Sequence, residues 1–141
     1  MGIFYFGANG LNGSMGLAYA KYDFAVDGGS VGTKTPGALF NTTIPANAIL
    51  VGGAVNVTTA ITSGGLATVA IGYAGTGGST TTLLGATAKA SLGLNVVLTT
   101  ATTFAAPKKI TGSGSITFTI GTANLTAGVI EVWVLYFLAS A

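Results

Sequence analysis

The sequence predicts an all-β protein made of one antiparallel sandwich or barrel of short strands. Thr, Val and Ile are common, and these β-branched residues favour strands. Clusters of Gly and Asn interrupt the chain at fairly even intervals, which is typical of short strands joined by turns. The 141 residues fit a single domain that is large enough to form its own hydrophobic core.

The first part of the chain is interpreted as an arm followed by a strand. Residues 1–16 are rich in Gly and aromatic residues and are predicted to form an extended N-terminal arm, with a sandwich domain over residues 17–141. Residues 19–26 alternate between apolar and polar side chains, which predicts a strand, and residues 27–29 predict a turn. Residues 38–44 are a candidate short strand that ends before a proline.

Residues 49–61 have the clearest strand pattern of the chain. The apolar residues assigned to one face of this strand are Ile49, Val51, Val55, Val57 and Ile61. Gly52 and Gly53 lie in its middle and predict a β-bulge or the close approach of another backbone. A turn at 62–65 and a second alternating segment at 66–73 predict that the two strands form a hairpin.

The second half of the chain has weaker patterns. Residues 75–82 are rich in Gly, Ser and Thr and predict a loop, and residues 83–92 are compatible with one or two turns of helix. Residues 94–98 and 109–110 are candidate short strands, and residues 115–120 alternate again. The side chains expected to face inward in the last of these strands are Ile116, Phe118 and Ile120.

The segment 129–138 is unusual because both of its faces are apolar. One face carries Ile130, Val132, Val134, Tyr136 and Leu138, and the other carries Val129, Glu131, Trp133, Leu135 and Phe137. One face of an antiparallel sheet commonly meets water. We therefore expect this strand to be covered on both faces, either by another subunit or by the protein's own arm. The residues predicted to form a subunit interface are Glu131, Trp133, Leu135 and Phe137.

Glu131 is the only charged residue in this apolar segment. Two roles are compatible with its position. It is either a buried carboxyl group whose pKa is raised, or a carboxylate that pairs across a subunit interface with a lysine such as Lys108 or Lys109.

The composition argues against an enzyme. Only 6% of the residues are charged, whereas ordinary soluble domains have about a quarter, so little charge repulsion opposes self-association. The chain has no His and no Cys, and its acidic residues are Asp23, Asp27 and Glu131. Asp23 and Asp27 are interpreted as part of a solvated strand face that leads into a turn, although a carboxylate pair is formally possible. We predict no catalytic residue, no cofactor and no metal site.

Two classes of partner are also unexpected. The five basic residues are lysines scattered along the chain, whereas nucleic-acid-binding proteins concentrate basic residues on one face and usually use Arg. The sequence has no run of about eighteen apolar residues that would cross a membrane. Its first residues lack the basic region with which a signal peptide begins.

Four stretches of the sequence resemble a recurrent pattern in small bacteriophage virion proteins. Residues 43–53 read Thr-Ile-Pro-Ala-Asn-Ala-Ile-Leu-Val-Gly-Gly, and residues 62–72 begin with Thr-Ser-Gly-Gly and end with Ala-Thr-Val-Ala-Ile-Gly. The others are residues 83–92 and residues 125–134. Together these matches span roughly residues 20–138, and they consist of strands and turns without a catalytic signature.

The resemblance implies a single antiparallel β-sandwich that is jelly-roll-like and usually forms a homotrimer displayed on a virion. The first candidate function is therefore that of a capsid decoration, or cement, protein. Such a protein would be assembled in the host cytoplasm and would bind the major capsid protein on the capsid surface. By analogy with the arms of decoration proteins, the residues expected to contact the capsid are Ile3, Phe4, Tyr5 and Phe6.

The alternative function is a head-fibre, spike or tail-knob module that binds a host surface glycan. Aromatic side chains stack on sugars, so an exposed aromatic face would suit this role. The candidate residues for such a face are Tyr5, Tyr19, Tyr73 and Trp133.

Overall fold

The computed structural model describes residues 3–5, 14–36 and 42–138, and within them the chain forms eleven strands and two short helical turns. The strands are β1 (Ile3–Tyr5), β2 (Ser14–Asp23), β3 (Gly32–Lys34), β4 (Thr43–Ile44), β5 (Ala48–Ser63), β6 (Thr68–Tyr73), β7 (Leu84–Ala88), β8 (Val97–Thr99), β9 (Lys108–Lys109), β10 (Gly114–Gly121) and β11 (Leu125–Leu138). A turn of α-helix, α1, covers Phe24–Asp27, and a 3₁₀ turn covers Lys89–Ser91. None of the helices among the described residues has the length and apolar character needed to cross a membrane.

The strands form two antiparallel sheets that pack against each other. A six-stranded sheet has the order β1-β2-β11-β5-β8, with β9 also paired to β5, and a five-stranded sheet has the order β3-β10-β6-β7, with β4 also paired to β10. If the added strands β1, β4 and β9 are left out, the remaining eight pair first with last, second with seventh, third with sixth and fourth with fifth. This nested pairing in two sheets is a jelly roll. The predicted fold class, a single jelly-roll-like β-sandwich, is confirmed.

The core lies between the two sheets and is filled by alternate residues of the long strands. On β11, Ile130, Val132, Val134 and Tyr136 are fully buried. The residues predicted to face inward on β10, Ile116, Phe118 and Ile120, are buried as well. Tyr22 of β2 meets Phe118 of β10 across the core, with ring centroids 5.8 Å apart. Such aromatic contacts between the two sheets add to the stabilisation that burial provides.

The predicted strand at 49–61 is confirmed as part of β5, and so is the predicted bulge. Consecutive residues of β11 pair with Gly52 and Leu50, so Val51 is an extra residue in the ladder. The bulge reverses the alternation of the strand: Leu50 faces the core, whereas Ile49 is half-buried on the opposite side. The assignment of Ile49 to the same face as Val57 was therefore wrong, because strict alternation does not continue through a bulge.

The predicted hairpin between residues 49–61 and 66–73 is wrong. β6 pairs with β10 and β7 in the five-stranded sheet, whereas β5 belongs to the six-stranded sheet. Between them the chain crosses from one sheet to the other, and Ala67 is buried at the crossing. Ser63 Oγ stabilises the turn by accepting a hydrogen bond from Gly65 N and donating one to the carbonyl oxygen of Asn124. Two strands with one apolar face each can be neighbours in a sheet or face each other across a core, and alternation does not distinguish these arrangements.

The predicted strand at 19–26 ends earlier than expected, at Asp23. The side chain of Asp23 accepts a hydrogen bond from Ala25 N at 3.0 Å and caps α1. Asp27 reaches back and accepts a hydrogen bond from Asp23 N at 2.8 Å. Gly28, with φ of 74°, ends the turn. The two carboxylates therefore cap a helical turn and do not extend a strand.

The remaining short elements differ from expectation by a few residues. The segment at 83–92 is mainly β7, and only its end forms the 3₁₀ turn, so the helical prediction holds for three residues. The strand expected at 94–98 is β8 and begins later, and the strand expected at 109–110 is β9 and begins one residue earlier. Of the strand expected at 38–44, β4 forms the last two residues, and residues 38–41 lie outside the described residues.

The two glycines of β5 provide a matched pair for a stability test. A Cβ atom on Gly53 would collide with the carbonyl oxygen of Trp133 and lie 3.0 Å from the Thr100 side chain, whereas a Cβ on Gly52 meets nothing within 4 Å. We expect Gly53→Ala to lower the free energy of unfolding by about 1–3 kcal/mol and Gly52→Ala to change it by less than about 0.5 kcal/mol. Denaturant unfolding of both variants measures the difference, and equal stabilities would contradict the close approach at Gly53.

Candidate assembly surface

The predicted interface residues lie on the outer face of the six-stranded sheet, opposite the core. The strand register places them in four rows that run across β2, β11 and β5. In order along β11 the rows are Lys21–Glu131–Asn56, Tyr19–Trp133–Ala54, Leu17–Leu135–Gly52 and Met15–Phe137–Ile49. These twelve residues, here called the outer face, are all half-buried. Because β11 is flanked by β2 and β5, the register brings together side chains that are far apart in the sequence.

The two central rows of the outer face contain no charged residue. The rings of Tyr19 and Trp133 lie 5.3 Å apart and are inclined by 50°. At the far end, Phe137 meets Phe104 edge-on at 6.2 Å, and Phe104 is itself 72% exposed. The outer face is thus a contiguous apolar patch bordered at one end by the polar row that contains Glu131, and such patches are typical of sites of protein interaction.

Phe104 was not identified from the sequence. It lies in the loop before β9, outside any alternating segment, and only the fold places it beside Phe137. The only feature of the sequence that could have indicated Phe104 is that it is an aromatic residue among small residues in a loop. Met15, Leu17 and Tyr19 were likewise not assigned to an interface, because their position on this face depends on the pairing of β2 with β11.

Glu131 is half-buried, and its carboxylate is held by neutral groups of the two neighbouring strands. Its Oε1 accepts a hydrogen bond from the Tyr19 hydroxyl at 2.8 Å, and its Oε2 accepts a longer one from Asn56 Nδ2 at 3.5 Å. This half-buried group therefore differs from the buried carboxyl group that was one of its two predicted roles. Its pairing with a lysine of another subunit stays a prediction.

The hydroxyl of Tyr19 is affected by its position on this face. Burial raises its pKa to about 12, and the hydrogen bond to Glu131 and the negative charge of that carboxylate act in the same direction. The pKa of Tyr22 is also raised to about 12, by burial and then by the charges of Asp27 and Asp23. Both tyrosines are neutral at physiological pH, so the outer face carries no tyrosinate charge.

The predicted capsid-contact residues lie at the edge of the same sheet. Ile3, Phe4 and Tyr5 form β1, which pairs with Gly16, Met15 and Ser14 of β2, respectively. β2 separates β1 from β11, so these three residues extend the sheet sideways. Residues 14–16, which were assigned to the arm, are part of β2. Phe6 lies outside the described residues, and the contact of this segment with a capsid stays a prediction.

The aromatic residues considered for sugar binding do not share one surface. Tyr73 is buried, and its hydroxyl donates a hydrogen bond to the carbonyl oxygen of Gly112, with the carbonyl oxygen of Ile44 3.4 Å away. It is therefore a core residue. Tyr19 and Trp133 do lie together on the outer face, as described above.

No protein-family model matches the sequence, and a search of curated proteins gives no match. The fold, in contrast, is similar to that of chains in bacteriophage capsids. A chain of the cyanophage Pam1 capsid asymmetric unit matches with a TM-score of 0.66 and 20% identity, covering 96% of this chain and 93% of that one. A chain of the acid-stable capsid of Helicobacter pylori bacteriophage KHP30 matches with a TM-score of 0.60 and 19% identity, covering 89% of both chains.

A chain of the capsid of Ralstonia phage GP4 is also similar, with a TM-score of 0.59, 15% identity and coverage of 89% of this chain and 86% of that one. The protein has the fold of these phage capsid chains. The resemblance to bacteriophage virion proteins that the sequence indicated is confirmed at the level of the fold. Because the matches cover most of both chains, the likeness extends over the whole sandwich and is not limited to one sheet.

Removing the Glu131 charge should change the alkaline titration of Tyr19. In Glu131→Gln the hydrogen bond to a carboxylate and the negative charge are lost, while burial, the largest cause, remains. The pKa of Tyr19 should therefore fall from about 12 towards 10.0 without reaching it. Ultraviolet titration of tyrosinate measures this shift, with Tyr19→Phe to assign the signal and Tyr22→Phe as a control. An unchanged titration of Tyr19 in Glu131→Gln would contradict the contact.

The same shift has a defined effect on stability. A tyrosine whose pKa is higher in the folded protein than in the unfolded chain contributes stability below the unfolded pKa. That contribution is lost as the pH rises through the folded value. For Tyr19 and Tyr22 the stability is therefore lost between about pH 10 and about pH 12. Glu131→Gln should lower the upper limit of this pH range for Tyr19 and leave that for Tyr22 unchanged.

Proposed function

We propose that this chain is a structural protein of a bacteriophage virion that binds the outer surface of the capsid and stabilises it, as a decoration or cement protein does. The observation that carries the proposal is the match of its fold to chains of three phage capsids over 86–93% of their length. The matched chains are thus of about the same size as this one. The apolar outer face and the low charge of the chain support a role in assembly and not in catalysis.

The outer face supports self-association. A standard interface of roughly 1,600 Å², at about 25 cal/mol per Å² of apolar area, provides tens of kcal/mol before the cost of association is subtracted. The central rows, with Trp133 and Leu135, have the apolar and aromatic character of an interface centre. We infer that copies of the chain associate through this face, and the resemblance noted in the sequence favours a homotrimer.

The position of β1 supports contact with a second kind of partner. β1 is the last strand at one edge of the described six-stranded sheet. An edge strand presents backbone N–H and C=O groups that can pair with an extended segment of another protein. The apolar residues Ile3, Phe4, Tyr5 and Phe6 would add side-chain contacts with the major capsid protein. The mechanism is passive: a modest binding energy at many equivalent sites adds up to a large resistance of the shell to rupture.

One observation favours the alternative function. The tilted rings of Tyr19 and Trp133 form a half-buried aromatic pair on the outer face, and such a pair could stack on a sugar. In this case the face would bind a host glycan, and the chain would belong to a head fibre or tail knob. The outer face would serve self-association in the first function and glycan binding in the second, so variants of this face distinguish them.

Polar substitutions on the outer face should produce monomers. We expect Trp133→Ser and Leu135→Asn each to shift the purified protein from an oligomer to a monomer, because they remove the apolar centre of the proposed interface. Leu66→Ser is the matched control, since Leu66 is 82% exposed and lies in the connection between the two sheets. Light scattering after size-exclusion chromatography gives the mass.

A wild-type protein that is monomeric at all concentrations would contradict self-association. The same samples, applied to a glycan array, test the alternative. Saturable glycan binding by the wild type that Trp133→Ser abolishes would favour the fibre or knob function over decoration.

Capsid binding should depend on the first residues and not on the outer face. We expect replacement of Ile3, Phe4, Tyr5 and Phe6 by Ser to abolish co-sedimentation with capsids that lack this protein, while the oligomer remains intact. A deletion of residues 2–13 tests the same contact and keeps all of β2. Oligomer mass is the control for both variants. Undiminished binding of the variants to capsids would overturn the role of this segment.

A further inference from the structure

The two ends of the outer face carry opposite charge. At one end lie Glu131 and the pair formed by Lys21 and Asp23, whose charged groups are 4.0 Å apart and cancel each other. In the end row itself Glu131 therefore remains as an unbalanced negative charge, and Asp27, which accepts a hydrogen bond from Asp23 N, adds a second one nearby. All three acidic residues of the chain lie at this end. Glu131 is on β11, Asp23 is the last residue of the neighbouring strand β2, and Asp27 ends the helical turn α1 that follows.

The opposite end is basic. β9 pairs with the start of β5, so Lys109 lies beside Ile49 and Lys108 lies beside Leu50. Paired residues of adjacent strands share one face of a sheet. Ile49 belongs to the outer face, whereas Leu50 is fully buried in the core. The register therefore places Lys109, and not Lys108, in the row of Met15, Phe137 and Ile49.

We propose that copies of this chain meet with opposite ends of their outer faces in contact, so that Glu131 of one copy pairs with Lys109 of the next. The proposal rests on the self-association proposed above and names the groups that orient it. Apolar rows alone would allow several relative orientations of two faces. Complementary charge favours the orientation in which the two ends meet and disfavours the one in which like ends meet. Such a contact is compatible with a two-fold symmetric dimer and with a closed ring of copies.

Both groups are able to make this contact. The carboxylate of Glu131 accepts one hydrogen bond from Tyr19 and a long one from Asn56, and a carboxylate has about four acceptor positions. Lys109 is exposed on a two-residue edge strand. The contact thus needs no change in the fold.

The two charges do not interact within one chain. Glu131 and the row of Phe137 are six residues apart on β11, which corresponds to about 20 Å at about 3.3 Å per residue. The Debye length is about 8 Å at physiological salt. If both charges are reversed, the two new side chains are likewise too far apart to pair within one chain. Any recovery of association in this double variant must therefore come from pairing between copies.

The test measures self-association of four variants by sedimentation over a concentration series. We expect Glu131→Lys and Lys109→Glu each to raise the dissociation constant at least about tenfold, because like charges then face each other. The double variant E131K/K109E should restore association. Lys108→Glu is the matched control, adjacent in sequence but on the other side of the sheet, and it should associate as the wild type does.

Two further measurements separate charge from folding. Thermal unfolding of each variant verifies the fold, and Glu131→Gln shows how much of the effect comes from the charge, since a Gln side chain still accepts a hydrogen bond from Tyr19. If Glu131→Lys does not fold, the comparison of Lys109→Glu with Lys108→Glu still decides the proposal, because both residues are exposed on β9.

The outcomes distinguish this proposal from the proposed function. A wild type that associates while Lys109→Glu has no effect, or a Lys108→Glu variant that is equally impaired, overturns the pairing and leaves self-association standing. A double variant that associates no better than the single variants also overturns it. A monomeric wild type overturns self-association itself and the pairing with it.

Discussion

The pairing of β11 with both β2 and β5 is the interaction on which the rest of the molecule depends. β11 pairs with β2 from Val129 to Leu138 and with β5 over nearly its full length. The pairing joins the last strand of the jelly roll to the first, and it places the third strand on the other side. The inward residues of β11 fill the centre of the core, and its outward residues form the middle of the outer face.

This arrangement buries the two faces of β11 to different extents. The inward face, with Ile130 and Val134, is fully buried by the chain's own five-stranded sheet. The outward face, with Trp133 and Leu135, is only half-buried, so much of its apolar surface gains nothing from folding. A chain with 6% charged residues has little repulsion to keep two such faces apart. Within the described residues, folding of the chain thus leaves an apolar surface that is only half-buried.

The sequence predicted the strands with strong alternation and missed the features that depend on long-range pairing. The inward residues of β10 were identified because alternation reports directly which side chains share a face. The partner of β6 was not identified, because two amphipathic strands joined by a Gly-rich turn are compatible with one sheet or with two. The face of Ile49 was missed because Val51 is an extra residue: Gly52 and Gly53 indicated a bulge, but strict alternation was still extended through it to Ile49.

Only the part of the candidate surface that lies on one strand could be predicted from the sequence. Glu131, Trp133, Leu135 and Phe137 alternate on one strand, so the sequence alone places them on one face. Their neighbours on β2 and β5, and Phe104, come from distant segments, and the register that brings them together follows from the closure of the whole jelly roll. The caps formed by Asp23 and Asp27 are local interactions, but their effect was hidden by the alternation that continues through Val26.

A strand that is apolar on both faces raises a problem of register, and Glu131 provides a physical solution to it. Slippage of β11 by one residue would exchange its two faces, and the hydrophobic gain would change little because both faces are apolar. The exchange would, however, move the Glu131 carboxylate into the core, where an uncompensated charge is very unfavourable. It would also break the hydrogen bond from Tyr19. The carboxylate that excludes the wrong register thus lies at one end of the outer face, and it is the same group that the proposed pairing between copies uses.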